Sequence, residues 1–365
     1  MSHRPQKLSP VGGPDPVRVL VIGDPYMPSS AYAELLARLG AEVEVTSMQS
    51  EGVTFAPPRT ASEHRLREYV GDPADVARAV AGHDVLVVHG APVSSEVLDA
   101  ARLRLVCCAR GGPVNVDVAA ATDRGIPVVN TPGKNAEAVA ELTIAFALLL
   151  IRMVPRASSD LLRRGAFAES VFEGSEYFGQ EAASVTLGLV GLGRVGREVA
   201  PRARALGFTV LAYDPLVTEA PDGVGLVPLD TLLGRSGVVS LHARATPENR
   251  HMFSQSQFAQ MRPGGYFINT ARESLVDEDA LMAALEKGTL SGAALDVLER
   301  PADGGRHPLL DAPNVLVTPH IGGATTETLA RGARRAVAAV ASLVAGQVPA
   351  DVVNPQVLHA GSAMT

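Results

Sequence analysis

At 365 residues with 46% hydrophobic content, the chain is long enough for two cores and too long to sit comfortably as one, so two domains are expected. A formal net charge of −7 without any block of Lys and Arg excludes a nucleic-acid surface, which would have to neutralise phosphates, and points to a small-molecule partner. The longest apolar run near a helix, Leu142–Ile151, is about half of what a membrane span needs and is flanked by Glu141 and Arg152, so no membrane partner is expected.

In chain order, residues 1–16 are polar and proline-rich and read as a disordered tail. Val17–Ile22 opens a first alternation: a helix from Ala31 to Leu39, a strand from Glu42 to Thr46, a helix from Pro73 to Val80, and the strand Val85–Val88. It continues through Leu105–Cys108, a helix from Val116 to Arg124 and the strand Pro127–Val129. Short strands alternating with helices predict an α/β domain with a parallel sheet. The adjacent thiols Cys107 and Cys108 suit burial in a reducing, cytoplasmic location better than a disulfide or a metal site, and no metal is expected. A long helix, about Ala136 to Met153, then leaves this sheet.

A second alternation runs from Val185 through Thr209–Tyr213, Val238–Leu241, Tyr266–Ile268, Ala293–Leu295 and Val315–Val317. The last helix, Thr325 to Ala345, has no place in that central sheet and is expected to return to the first domain. The predicted division is 17–134 plus 324–356 for a discontinuous first domain and 135–323 for an inserted one, with a hinge over a cleft and a loose tail at 357–365.

The strongest motif is Gly191-Leu-Gly193-Arg194-Val195-Gly196, which follows an apolar strand and opens a helix. Gly191 permits a tight turn, Gly193 lets backbone approach a pyrophosphate, and Gly196 lets the helix pack closely on the strand. The helix N-terminus then offers N–H groups to phosphates. Asp214 ends the next strand 18 residues after Gly196, where a carboxylate accepts ribose hydroxyls and repels a 2′-phosphate; the cofactor expected is NAD. Asp214 could otherwise be a turn former beside Pro215. Hydride transfer further needs a cation on the substrate and a group that exchanges a proton. Arg272 follows the strand Tyr266–Ile268 and could be that cation, or equally a surface arginine paired to Asp277. His320, in Thr318-Pro-His320-Ile-Gly-Gly323, also follows a strand and supplies an imidazole, the side-chain type suited to exchanging a proton near neutrality.

Five ordered blocks resemble the D-isomer-specific 2-hydroxyacid dehydrogenase family, its phosphoglycerate dehydrogenase group in particular. They are Asn115–Asp117; Gly125-Ile126 with Asn130–Gly133 and Val139–Glu141; the Gly191 motif; Asn269–Arg272 with Val276-Asp277 and Ala294–Val297; and Asn314–Gly323. The closing Val353-Asn-Pro355 resembles the family's usual end, so no added regulatory domain is expected. The resemblance implies a Rossmann-type doubly wound NAD-binding domain inserted in a discontinuous flavodoxin-like substrate domain, and a homodimer formed through the helix Ala136 to Met153 and the apolar segment that begins the central domain. It implies that Arg272 binds the substrate, that His320 is the general acid or base, and that Asp296, Thr270, Ala271, His242, Gly322, Arg194 and Val195 line the cofactor. It also implies that the loop Gly90-Ala91-Pro-Val93 holds the substrate carboxylate through its N–H groups.

The activity implied is interconversion of a D-2-hydroxy acid and its 2-oxo acid, 3-phosphoglycerate or another sugar-derived acid being candidates. An NADH-sensing corepressor-type interaction protein on the same fold is the alternative, and a formate or phosphite dehydrogenase the third reading. Three departures stand out. The family's acid partner of the histidine falls on Pro301, leaving Glu299 first and Asp303 second as replacements. Glu273 replaces the usual glycine after the arginine, and His89-Gly90 stands where phosphoglycerate enzymes carry Arg-Ser, removing a phosphate-binding cation.

Overall fold

A computed structural model describes residues 15–50, 58–165, 173–301, 304–312 and 314–360. The chain forms two compact units, one of residues 1–134 with 325–365 and the other of residues 135–324.

Unit 1 starts with β1 (Val17–Gly23), α1 (Ser30–Leu36), β2 (Val43–Gln49), α2 (Pro73–Val80) and β3 (Val85–Val88). It goes on with α3 (Ser95–Asp99), β4 (Leu105–Cys108), α4 (Val118–Asp123) and β5 (Val128–Val129). All pairings are parallel, in the order β2-β1-β3-β4-β5. This is the flavodoxin-like order, whose direction of winding switches between β1 and β3. The four residues of β3 and of β4 are all buried, as continuous apolar strands covered on both faces must be. Local chemistry sets the helix starts: Asp72 accepts from the Ala74 N–H ahead of Pro73, and Asp117 accepts from the Ala120 N–H.

Unit 2 starts with α5 (Ala136–Ile151), α6 (Val154–Arg164), β6 (Thr186–Val190), α7 (Arg194–Ala205), β7 (Thr209–Tyr213), β8 (Val224–Leu226) and α8 (Leu229–Arg235). It closes with β9 (Val238–Leu241), α9 (Gln255–Gln260), β10 (Gly265–Asn269), α10 (Glu278–Glu286), β11 (Leu290–Leu295) and β12 (Val315–Val317). Its seven strands are all parallel, in the order β12-β11-β10-β9-β6-β7-β8. This is the doubly wound arrangement expected, with β6 beside the reversal of strand order. The chain then returns to unit 1 as α11 (Thr326–Val344), capped by Thr325, and ends with α12 (Val357–Ala360). α11 buries Ala333, Ala336, Val337 and Val340 against the face of the first sheet that carries Val19, Val21 and Cys107. Buried Asn354 closes that sheet's edge, accepting from the Val128 N–H at 2.8 Å and donating to the Ile126 carbonyl at 2.9 Å.

Four details differ from the sequence expectation. The long helix stops at Ile151 and a second one, α6, follows, because Pro155 has no N–H for the Ile151 carbonyl; that oxygen accepts instead from Gln180 at 2.8 Å. β8 adds a strand that its short Val-Gly-Leu run does not announce. α1 ends at Leu36, ahead of Gly40 with its φ of +69°. Residues 357–360, expected to be loose, form a helical turn, while residues 1–14 and 361–365 lie outside the described residues.

Candidate active site

In unit 2 the three glycines of the motif have three separate structural reasons. Gly191 has a φ of +101°, and a Cβ there would stand 2.7 Å from the backbone of His242 and Ala243. A Cβ at Gly196 would run into the Gly191 carbonyl, so α7 can approach the turn only with glycine. At Gly193 no atom of any described residue beyond its chain neighbours and its own helix backbone lies within 4 Å of a Cβ position. The fold does not need a glycine there, and the open space lies at the N-terminus of α7, where N–H groups without partners in the helix attract phosphate. Arg194 is exposed and Val195 half-buried in the first turn. Asp214 holds the same turn, accepting from the N–H of Leu192 at 2.8 Å and of Leu216 at 2.9 Å. An NAD-type dinucleotide therefore fits these residues: a free pyrophosphate cradle with a carboxylate beside it.

His242 closes the back of the turn. Its N–H donates to the Val190 carbonyl at 2.7 Å, and its ring Nε2 lies 2.9 Å from the Ser240 hydroxyl. Burial pushes its imidazole down to about 4, so it is neutral at pH 7.

The loop after β10 is shaped by the first residue of its motif, to which the sequence alone assigns no role of its own. Asn269, 1% exposed, accepts from the Ala271 N–H and donates to the Arg272 carbonyl, both at 2.9 Å, folding Thr270-Ala271-Arg272 into a fixed turn. Thr270 is buried with its hydroxyl 3.1 Å from that of Thr143. Arg272 is half-buried, as is Glu273, which opens a short turn after it. Asp277 caps α10 by accepting from the Ala280 N–H.

Asp296, 2% exposed, fixes the loop after β12. It accepts from the Thr318 hydroxyl at 2.6 Å and from the N–H groups of Ile321 at 2.8 Å and Gly322 at 2.7 Å. A Cβ at Gly322 would stand 2.8 Å from that carboxylate, so the glycine is there for Asp296 as well as for any ligand. His320 sits inside this clamp, exposed, with a φ of +58°. β12, β11 and β10 are neighbours, so the carboxyl edge of one sheet carries Arg272, Asp296 and His320. The Glu299 side chain is 44% exposed and its carboxylate faces Arg250 at 3.2 Å and His251 at 4.0 Å. Asp303 lies outside the described residues.

In unit 1 the loop after β3 differs from expectation. The N–H of Gly90 is not free for a ligand, because it donates to Asp24 Oδ2 at 2.7 Å. Pro92 has no N–H and that of Val93 donates to the Asn115 carbonyl, leaving Ala91 as the one N–H of the four that donates to no described residue. Asn115 clamps the loop by donating to the carbonyls of His89 at 3.0 Å and Ala91 at 2.7 Å. His89 Nδ1 lies 2.8 Å from Asp24 Oδ2, and Asp24 also accepts from the N–H groups of Tyr26 and Met27. Burial works to raise the Asp24 carboxyl, but His89 and the N–H groups of Met27 and Gly90 outweigh it and hold it below the usual range. The sequence shows His89 as a departure; nothing in it marks Asp24, which merely follows a strand.

The family description "D-isomer specific 2-hydroxyacid dehydrogenase, NAD binding domain" matches residues 144–322. The chain is 40% identical over 252 residues to a hydroxypyruvate reductase of Thermotoga maritima, covering 68% of this chain and 80% of that protein. It is also 40% identical over 282 residues to a D-3-phosphoglycerate dehydrogenase of Mycobacterium tuberculosis, covering 76% of this chain but about half (52%) of the relative. The TT0316 protein of Thermus thermophilus has a similar structure, with a TM-score of 0.74 and 34% identity over 92% of this chain and 100% of that one.

Proposed function

The chain belongs to the D-isomer-specific 2-hydroxyacid dehydrogenase family, NAD-dependent oxidoreductases that interconvert hydroxy and oxo acids, and from that premise we propose that it reduces a short 2-oxo acid of the hydroxypyruvate type. The observation that carries this is the shared carboxyl edge of the unit 2 sheet, where the open Gly193 turn, Arg272 and His320 all lie. NADH, when bound, supplies the hydride. Arg272 holds the acid and draws electron density from its carbonyl oxygen, and His320, as imidazolium, gives that oxygen its proton; in oxidation the imidazole takes it back. Asn269 and Asp296 keep the two side chains in place. A phosphorylated acid is disfavoured, because the end of β3 offers a histidine tied to a buried carboxylate instead of a cation for phosphate.

The test is NADH oxidation with hydroxypyruvate, pyruvate and 3-phosphohydroxypyruvate. Hydroxypyruvate should react best. Arg272→Ala should lower kcat/KM by about a thousandfold or more while NADH still binds. If no 2-oxo acid reacts while NADH is bound, the activity is wrong.

The same reading includes a cytoplasmic homodimer. The segment after α5 supports the dimer by exposing Leu162 at 80% and Phe178 at 84%. Light scattering that gives a monomer at micromolar concentration would refute it.

A further inference from the structure

Lys134 closes the turn after β5 and is 7% exposed, yet its ammonium makes no hydrogen bond or ion pair with any described residue. A buried cation left without a counter-ion is costly and is retained where an anion arrives to pair with it. Its stem packs on α11, where a Cβ at Gly332 would lie 3.0 Å from Lys134 Cδ, 3.4 Å from Nζ and 3.3 Å from the Met27 methyl. Gly332 thus leaves the room that the lysine occupies. Met27 belongs to the turn whose N–H groups bind Asp24.

The ends of β1, β3, β4 and β5 therefore bring Asp24, His89-Gly90, Arg110 and Lys134 to one edge of the sheet, next to the β1/β3 reversal where open sheets place their ligands. Of the two cations, Arg110 is already engaged by the Glu68 carboxylate and carbonyl. Asp24 accepts four hydrogen bonds from its own unit.

The loop beside this edge has a matching deficit. Asp24 has taken the Gly90 N–H, so a carboxylate seated there meets one free backbone donor, at Ala91. We infer that Lys134 Nζ is a substrate-binding group that, together with the Ala91 N–H, takes the carboxylate of the 2-oxo acid and replaces the donor lost to Asp24. This rests on the dehydrogenase reading above and adds to it a residue that none of the sequence blocks assigns.

Protonation supports the role. Burial pushes the Lys134 amine down to about 8; Cys108 and Asp24 favour its charge and Arg110 opposes it, while His89 faces it from the end of β3. The charged form is the one that binds an anion. Affinity for the acid should then decline as pH rises above about 8, because the bound carboxylate holds on a proton that the free protein has by then lost.

The experiment compares wild type, Lys134→Met and Lys134→Arg, each with NADH bound, by titrating oxamate and by measuring KM and kcat for hydroxypyruvate. Lys134→Met should weaken oxamate and raise KM by about 10- to 100-fold, with kcat changed less. Lys134→Arg should recover part of the loss, and the alkaline decline in affinity should vanish in Lys134→Met. Melting temperature and NADH affinity show that each variant is folded. Oxamate binding to Lys134→Met within threefold of wild type overturns the assignment, as does wild type that binds no oxamate. Should wild type bind oxamate but reduce no 2-oxo acid, the dehydrogenase reading fails and the titrations still decide the role of Lys134.

Discussion

The carboxyl edges of the two sheets are built from different materials. In unit 2 the edge after β6 is made of backbone: a left-handed glycine, a glycine with no described residue opposite it, and the free end of a helix. In unit 1 the edge after β1, β3, β4 and β5 is made of side chains, with Asp24, His89, Arg110 and Lys134 setting charge and shape. A cofactor common to many enzymes is met by a construction that any sequence with the right glycines can form. On the reading proposed above, the acid that distinguishes one enzyme from another is met by individual residues. Family membership therefore speaks for the first edge and says little of the second.

The sharpest way to break this contrast is at the glycines. Gly196→Val should destabilise the protein by about 2–3 kcal/mol, because its Cβ meets the Gly191 carbonyl, and urea denaturation reads this directly. Gly193→Val should leave stability within about 1 kcal/mol and yet raise the Kd for NADH by about 30-fold or more, since its side chain enters space that only a ligand uses. Equal losses of stability at both positions would mean that the turn is structural throughout.

Asp296→Asn comes next. An amide in place of the carboxylate turns a donor toward the N–H groups of Ile321 and Gly322, and the loop that presents His320 loosens. We expect kcat for 2-oxo acid reduction to fall about 100-fold with NADH affinity changed less than about fivefold. A larger effect on NADH binding would place Asp296 on the cofactor instead.

His242 gives a smaller effect, readable in pH. Its ordinary value of 6.5 drops to about 4 in the fold, so the unfolded chain binds a proton that the native state refuses. Its contribution is therefore fully present above pH 6.5 and is lost as pH falls from there to about 4, by up to about 3 kcal/mol. His242→Gln should flatten this part of the stability profile, followed by thermal melting between pH 4 and 7. The smallest effect is expected at Glu299, whose carboxylate is 44% exposed beside Arg250. Glu299→Gln should move the acid limb of the pH–rate profile by less than about half a unit. A drop of a full unit would return Glu299 to the side of His320.

The same contrast explains how much could be read beforehand. Gly191, Gly193, Gly196 and Asp214 are legible because spacing alone encodes a strand, a turn and a helix; the structure gives Gly191, Gly196 and Asp214 each a distinct contact and leaves space open at Gly193. Strands such as Val85–Val88, Leu105–Cys108 and Val238–Leu241 follow from continuous apolar runs, as buried parallel strands do. β8 did not follow, because two of its three residues are exposed. Asn269 and Asn115 act through hydrogen bonds to backbone within three residues or across 24 and 26, and no periodicity records such partners. Lys134 is a single lysine in a polar turn; only burial distinguishes it from a surface one.

The position of Asn354 bears on how the molecule is made. Residues of unit 2 are consecutive, so every strand of its sheet has been synthesised once residue 324 has left the ribosome. Unit 1 at that moment still lacks α11 and the asparagine that ties the β5 edge to Thr122 and Ile126. The part of the chain that begins first is thus finished last, and its first sheet must wait with an uncovered face while the inserted unit completes itself.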